Sequence, residues 1–273
     1  MSSKSWGKDK DTLSTTYKTL VRPIIEYGST LWSPIIKDTN LSKLQSIQNA
    51  ALRTITGCIK DTNTQHLRCE TNILPLNHHF KIHNSIQQLK STQACHPNQH
   101  FNHLPNPPCL MKSTIFHKQY LKPILTTPLI PPANIQPRLK QIHTSVVKSY
   151  LSSLEPNKNL GTSPPEIHHS ETTLNRHLRC LLAQIRTNKS PLLRSYLNKI
   201  NPSKYPSSEC PLCKAPNHDT PHIFTCLKIP TNLTIVDLWN SPVECAALLS
   251  LWEANLLGSP WRRSWALRTL SWP

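Results

Sequence analysis

Three cysteines and one histidine near the C-terminal end are spaced to hold a single metal ion. Cys210-Pro211-Leu212-Cys213 sets two thiols two residues apart, a narrow jaw for one cation, and His222 and Cys226 follow, four apart. On a helix, residues four apart share a face, so the second pair can point at the ion held by the first. Three sulfurs and one imidazole complete a tetrahedral, structural Zn²⁺ set that leaves no position open for a catalytic water. Asp219-Thr220-Pro221 precedes the second pair and reads as a helix start, with a capping side chain and a proline in the first turn. His218 competes with His222 as a ligand, but it sits in the loop and is farther from Cys226.

The elements around this set are expected to be helical. Leu174, Leu178, Leu181, Leu182 and Ile185 recur as one face of a helix, with Arg176, Arg179 and Arg186 on its other faces. A short helix is predicted over 191–200 after Ser190-Pro191, and another over 237–253. Upstream, Leu41, Leu44, Ile47, Ala51, Leu52 and Ile55 predict a helix that Asn40 caps and Gly57 ends. Arg53 and the glutamines Gln45 and Gln48 fall toward its other side or margin. A further helix is expected around 78–90. Residues 97–137 hold nine prolines and no glycine, which argues against a packed core there. The fold class is therefore mainly α and modular. It comprises a helical segment over 11–90, an extended proline-rich basic connector over 91–170 with a short helix at 138–153, a helical segment with a small zinc knuckle over 171–253, and a disordered tail over 254–273.

Charge points to the partner. Thirty-one Lys and Arg against 14 Asp and Glu leave a net charge of +17, the balance of a chain matched to a polyanion. No acid occurs between Glu70 and Glu155, and none from Thr172 to Ser208, where there are seven Lys or Arg. The other six cysteines (Cys58, Cys69, Cys95, Cys109, Cys180, Cys245) are scattered without the regularity of a disulfide framework. The opening residues are polar, and no apolar run approaches the ~20 residues of a membrane span. An intracellular, reducing compartment is expected, with no membrane partner.

Several motifs agree, in order, with one family. Tyr17-Lys18-Thr19-Leu20-Val21-Arg22-Pro23-Ile24-Ile25-Glu26-Tyr27-Gly28, followed by Leu31-Trp32, resembles the stretch after the polymerase palm in jockey-type non-LTR retrotransposon reverse transcriptases. The run from Leu44 to Gly57 resembles the thumb helix of that family. Leu178-Arg179-Cys180-Leu181-Leu182-Ala183-Gln184-Ile185-Arg186, the Cys210 to Cys226 set and Asn232 to Trp239 resemble its C-terminal segment. The resemblance covers about 12–253. It implies a thumb, linker and CCHC zinc knuckle lying downstream of a catalytic domain. A two-metal polymerase site needs clustered carboxylates, and no Asp-Asp dipeptide occurs in the sequence. The chain is therefore expected to be a non-catalytic C-terminal fragment of a larger element protein.

That reading assigns nucleic-acid contacts, RNA or DNA with element RNA favoured, to Arg53, Arg176, Arg179, Arg186, Lys189, Arg194 and Lys214. Phe224 or a tail tryptophan could stack on a base, although Phe224 fits a small core beside the zinc better. The apolar stripe of the thumb-like helix needs a packing partner or self-association. Two alternatives stand beside it. One is a translated remnant of a mobile element without function. The other is a His/Cys metal-dependent enzyme, with a second metal group at 95–109 around Cys95, His96, His100, His103 and Cys109.

Overall fold

A computed structural model describes residues 7–33, 35–92, 132–155 and 157–257. The Cys/His group at 95–109, the proline-rich part of the connector up to 131, and the tail from 258 lie outside the described residues. All regular elements among the described residues are helical. They are α1 (Lys10–Thr16), a π-helical turn (Tyr17–Val21), α2 (Arg22–Glu26), α3 (Ser29–Trp32), α4 (Asp38–Thr56), α5 (Thr64–Thr71) and α6 (Leu76–Thr92). There follow α7 (Pro132–Ser152), a 3₁₀ turn (His169–Thr173), α8 (Arg176–Arg186), α9 (Arg194–Ile200), α10 (Thr220–Thr225), α11 (Asp237–Asn240) and α12 (Pro242–Leu257). No described helix is long and apolar enough to cross a membrane.

The chain divides into two compact units, each assembled from separated stretches. One comprises 1–14, 52–71 and 154–273, the other 15–51 and 72–153. The expected segments ran consecutively along the chain, whereas the compact units are interleaved. The physical reason is visible in the first unit, where α8 packs on the C-terminal end of α4. Gly57 ends α4 with φ +68°, a left-handed conformation that costs glycine nothing. A Cβ at Gly57 would lie 2.3 Å from Cys180 Sγ, so the approach also demands the missing side chain. Arg176 Nη2 donates to Thr54 O at 2.8 Å and Gln184 Nε2 to Gly57 O at 2.7 Å. These bonds satisfy carbonyls that a helix end leaves without partners.

The core of this unit forms around α8. Asn175 caps the helix by accepting from Leu178 N at 3.0 Å, and Leu181, Leu182 and Ile185 are buried against Leu193, Ile223, Leu249 and Trp252. Asn188, with φ +54°, turns the chain out of the helix. The expected helix at 191–200 begins at Arg194, and that at 237–253 splits into α11 and α12 at Ser241-Pro242, where proline starts a new helix more easily than it continues one. The last part of the supposed connector is not extended: Leu160 and Ile167 pack on this core, and Asn157 Nδ2 donates to Arg186 O at 3.3 Å.

In the second unit, α4 contributes its N-terminal half. Gln48 is 1 % exposed, whereas Ile47 is 52 % exposed, so the buried face is offset from the expected stripe. Gln48 Nε2 donates to Leu74 O at 3.0 Å, and Gln45 Oε1 accepts from Leu76 N at 2.9 Å. The two glutamines satisfy the backbone where the chain enters α6, and that demand outweighs the apolar preference for the face. Trp32 meets Phe80 edge-to-face at 5.1 Å, an arrangement aromatic quadrupoles favour. Glu26 pairs with Arg22 Nε at 3.0 Å and with His79. Leu20, Ile24, Tyr27, Leu31 and Ile35 are exposed; much of the bare apolar surface described in this unit lies there and at Ile47, not along the whole expected α4 stripe.

Candidate metal centre

The loop before α10 brings the first two sulfurs together. Lys214 N donates to Cys210 O at 2.9 Å, and Cys210 N donates to Ala215 O at 2.8 Å. The turn closes with Lys214 at φ +64°, a left-handed conformation that costs a non-glycine residue roughly 1 kcal/mol. Asp219 starts α10 as expected, its Oδ1 accepting from His222 N at 3.1 Å. Pro221 follows within the first turn. His222 projects from this helix, while Cys226 sits just past its end, in extended backbone.

Three sulfurs and one imidazole nitrogen converge. The ligand atoms of Cys210, Cys213, His222 and Cys226 all lie within 4.8 Å of one another, and Cys213 Sγ is 3.2 Å from His222 Nε2. A tetrahedron with Zn–S bonds of about 2.3 Å has edges of about 3.8 Å, so an ion fits among them with small side-chain shifts. The donor set is the sulfur-rich type that selects Zn²⁺ over hard cations. Burial pushes the Cys210 thiol up to about 11. Cys213, which accepts the Ala215 N–H, is held below its ordinary value. Bound metal requires thiolates, so loading the centre releases protons.

His218 is settled by geometry. It is fully buried, its Nδ1 accepts from Arg194 N at 3.1 Å, and its ring lies against Trp252 at 5.0 Å between centroids. It stands outside the four-atom cluster and packs edge-on against His222 at 5.8 Å. Burial, then the neighbouring charge of His222 and Arg194, depresses it to about 4. Phe224 is buried in the core, and Cys210 and Cys226 belong to that same core. The centre is therefore built into the unit and is not a free-standing knuckle.

The basic residues expected to face nucleic acid divide sharply. Arg176, Arg179 and Arg186 are buried, with exposures of 8, 4 and 1 %, which corrects their assignment to a phosphate-binding face. Arg176 is spent on backbone carbonyls, donating to Lys8 O at 3.0 Å as well as to Thr54 O. Arg179 pairs with Asp11 at 2.8 Å. Arg186 pairs with Glu70 at 3.1 Å and Glu171 at 2.6 Å, and Lys10 bridges the same two carboxylates at 3.1 Å each. Arg53 is half-buried in the last turn of α4. Lys189 Nζ is 2.9 Å from Asp61 Oδ2, and Arg194 lies 5.0 Å above the Tyr205 ring. Lys214, next in sequence to Cys213, is exposed, and Lys199, Lys204 and Lys228 are exposed on the same unit. Nothing in helical spacing separates a solvated lysine of this kind from a buried arginine.

Comparison with protein-family models, with curated proteins and with solved structures finds no match.

Proposed function

We propose that the chain is a zinc-stabilised, non-catalytic nucleic-acid-binding protein, equivalent to the C-terminal part of a jockey-type non-LTR reverse transcriptase, acting inside the cell on RNA in preference to DNA. The observation that carries the reading is the convergence of Cys210, Cys213, His222 and Cys226 within 4.8 Å, in a chain of net charge +17. Zn²⁺ held there would supply a fixed crosslink and no reaction step. Its role is to lock the 210–226 loop to the core and to hold Lys214 at the surface. Phosphate contacts then fall to Lys214, Lys199, Lys204 and Lys228, joined by Arg53 and Arg194. Arg176, Arg179 and Arg186 support this surface from within.

The test combines metal stoichiometry with salt dependence. Native mass spectrometry of the full chain with Zn²⁺ supplied should give one ion per chain, and none for Cys213→Ser. Binding of a single-stranded RNA, followed by fluorescence anisotropy, should weaken linearly on a log–log salt plot with a slope of about −0.7 per phosphate contacted. Lys214→Gln should flatten that slope. A metal-free chain under zinc excess, or RNA binding insensitive to salt, would refute the proposal.

A further inference from the structure

The second unit holds a small cavity that the zinc-centred reading does not use. Its volume is about 170 Å³, and it is lined by Lys18, Arg22, Gln48, Asn72, Ile73, Leu74, His79 and His143. At roughly 30 Å³ per water, that is room for a phosphate group and a few waters. Four of the lining residues carry or can carry positive charge, and no carboxylate is among them. They come from separate elements, the π-helical turn, α2, α6 and α7, so the convergence belongs to the fold and not to a local basic run.

The electrostatics of the lining point the same way. Burial, followed by the charges of His79, Arg22 and Lys18, holds the His143 imidazole below its ordinary value. The charges of Arg22 and Lys18 thus bear on one ring from two separate elements. Glu26 stands behind the wall, pairing with Arg22 Nε at 3.0 Å and with His79. These ion pairs hold Arg22 and His79 near one carboxylate at the back of the cavity. Gln48 is held by its bond to Leu74 O at 3.0 Å, and the exposed Asn72 and Lys18 form the mouth. A cavity whose lining offers guanidinium, ammonium and imidazole N–H donors and no carboxylate is complementary to a compact oxyanion.

We propose that this cavity is a phosphate-binding site, in which Arg22, His79 and His143 engage the oxygens and Lys18 closes over them. It goes beyond the zinc-centred reading and stands without it. Phosphate of either source suits the chemistry, whether free or part of a polynucleotide.

The experiment uses the full chain with Zn²⁺ bound and observes the histidine ring resonances by NMR during titration with inorganic phosphate at constant ionic strength. The His79 and His143 resonances should shift saturably, and His143→Gln identifies its own signal. Lys18→Gln and His143→Gln, neither of which touches the Glu26 pairs, should each weaken binding by about fivefold or more while leaving the thermal midpoint unchanged. A second arm competes a 5′-phosphorylated RNA against the same RNA lacking that phosphate. Preference for the first assigns the site to a terminal phosphate, equal competition to backbone phosphates, and no competition to free phosphate. Absence of a saturable shift, or equal affinity in wild type and both variants, overturns the proposal. RNA binding without phosphate in this cavity would sink the inference alone. Phosphate binding here without RNA binding would sink only the nucleic-acid reading.

Discussion

Replacing Glu171 by Gln removes one negative charge from the centre of the buried ion network and leaves its shape intact. Glu171 is 2 % exposed, with Arg186 Nη2 at 2.6 Å, Lys10 Nζ at 3.1 Å and Arg179 Nε at 3.7 Å. Burial alone would raise its pKa, but the charges of Arg186 and Lys10 outweigh burial and hold it near 2, against an ordinary 4.5. The folded state therefore prefers the ionised form by roughly 3 kcal/mol. Because the folded value is depressed, this contribution is fully present above the unfolded value and drains away as pH falls from 4.5 toward 2. Urea unfolding of wild type and Glu171→Gln in parallel isolates it, since the rest of the two proteins is identical and its own acid sensitivity cancels in the difference. The variant should be about 3 kcal/mol less stable at pH 7 and still so at pH 5, and about 1 kcal/mol less stable at pH 3. A difference that stays flat from pH 7 to pH 3 would show that the ion pairs around Glu171 contribute nothing net.

Three further outcomes can be measured on the same protein. Gly57→Ala should cost at least about 2 kcal/mol in thermal or urea unfolding, because the new Cβ meets Cys180 Sγ at 2.3 Å and φ is +68°; a neutral result would mean that α8 can move away from the end of α4. Lys214→Gly should raise the thermal midpoint, relieving roughly 1 kcal/mol of left-handed strain at φ +64°, with zinc stoichiometry unchanged. Cys213→Ser should abolish zinc uptake and the protease resistance that zinc confers, whereas Cys180→Ser, outside the cluster, should still bind one ion; equal loss in both would argue for a general folding defect.

Local chemistry was the most readable part of this chain. The CxxC turn, the Asp219 cap, the Gly57 stop and the α8 leucines each depend on residues within about one or two turns of one another, and each stands where spacing puts it. The four clustered side chains were legible for the same reason, since 17 residues contain them all. Long-range demands were not legible. Gln48 looks like a marginal polar residue until Leu74 O, 26 residues away, requires its amide. The 154–170 stretch looks like linker until Leu160 and Ile167 find a core. The cavity residues Lys18, Arg22, His79 and His143 span 125 positions, so no window on the sequence assembles them.

The α8 arginines show what a helical period does and does not tell. The leucine stripe located one buried face correctly, and arginine elsewhere on a basic helix is ordinarily solvated. Here α8 is enclosed on nearly every side, with nine of its eleven residues buried, and a helix so enclosed can keep arginine only by neutralising it. Two partners come from far off, Asp11 for Arg179 and Glu70 for Arg186, and the third, Glu171, lies 15 residues before Arg186. One signal for this was present in the sequence. Glu70 and Glu171 are the last acids before the two acid-free stretches, and an isolated carboxylate in so basic a chain is poorly explained by solubility. Each is instead a buried counter-ion. Part of the net positive charge is thus internal bookkeeping of the fold, and the proposed phosphate contacts fall instead to exposed lysines of the first unit and to the cavity of the second.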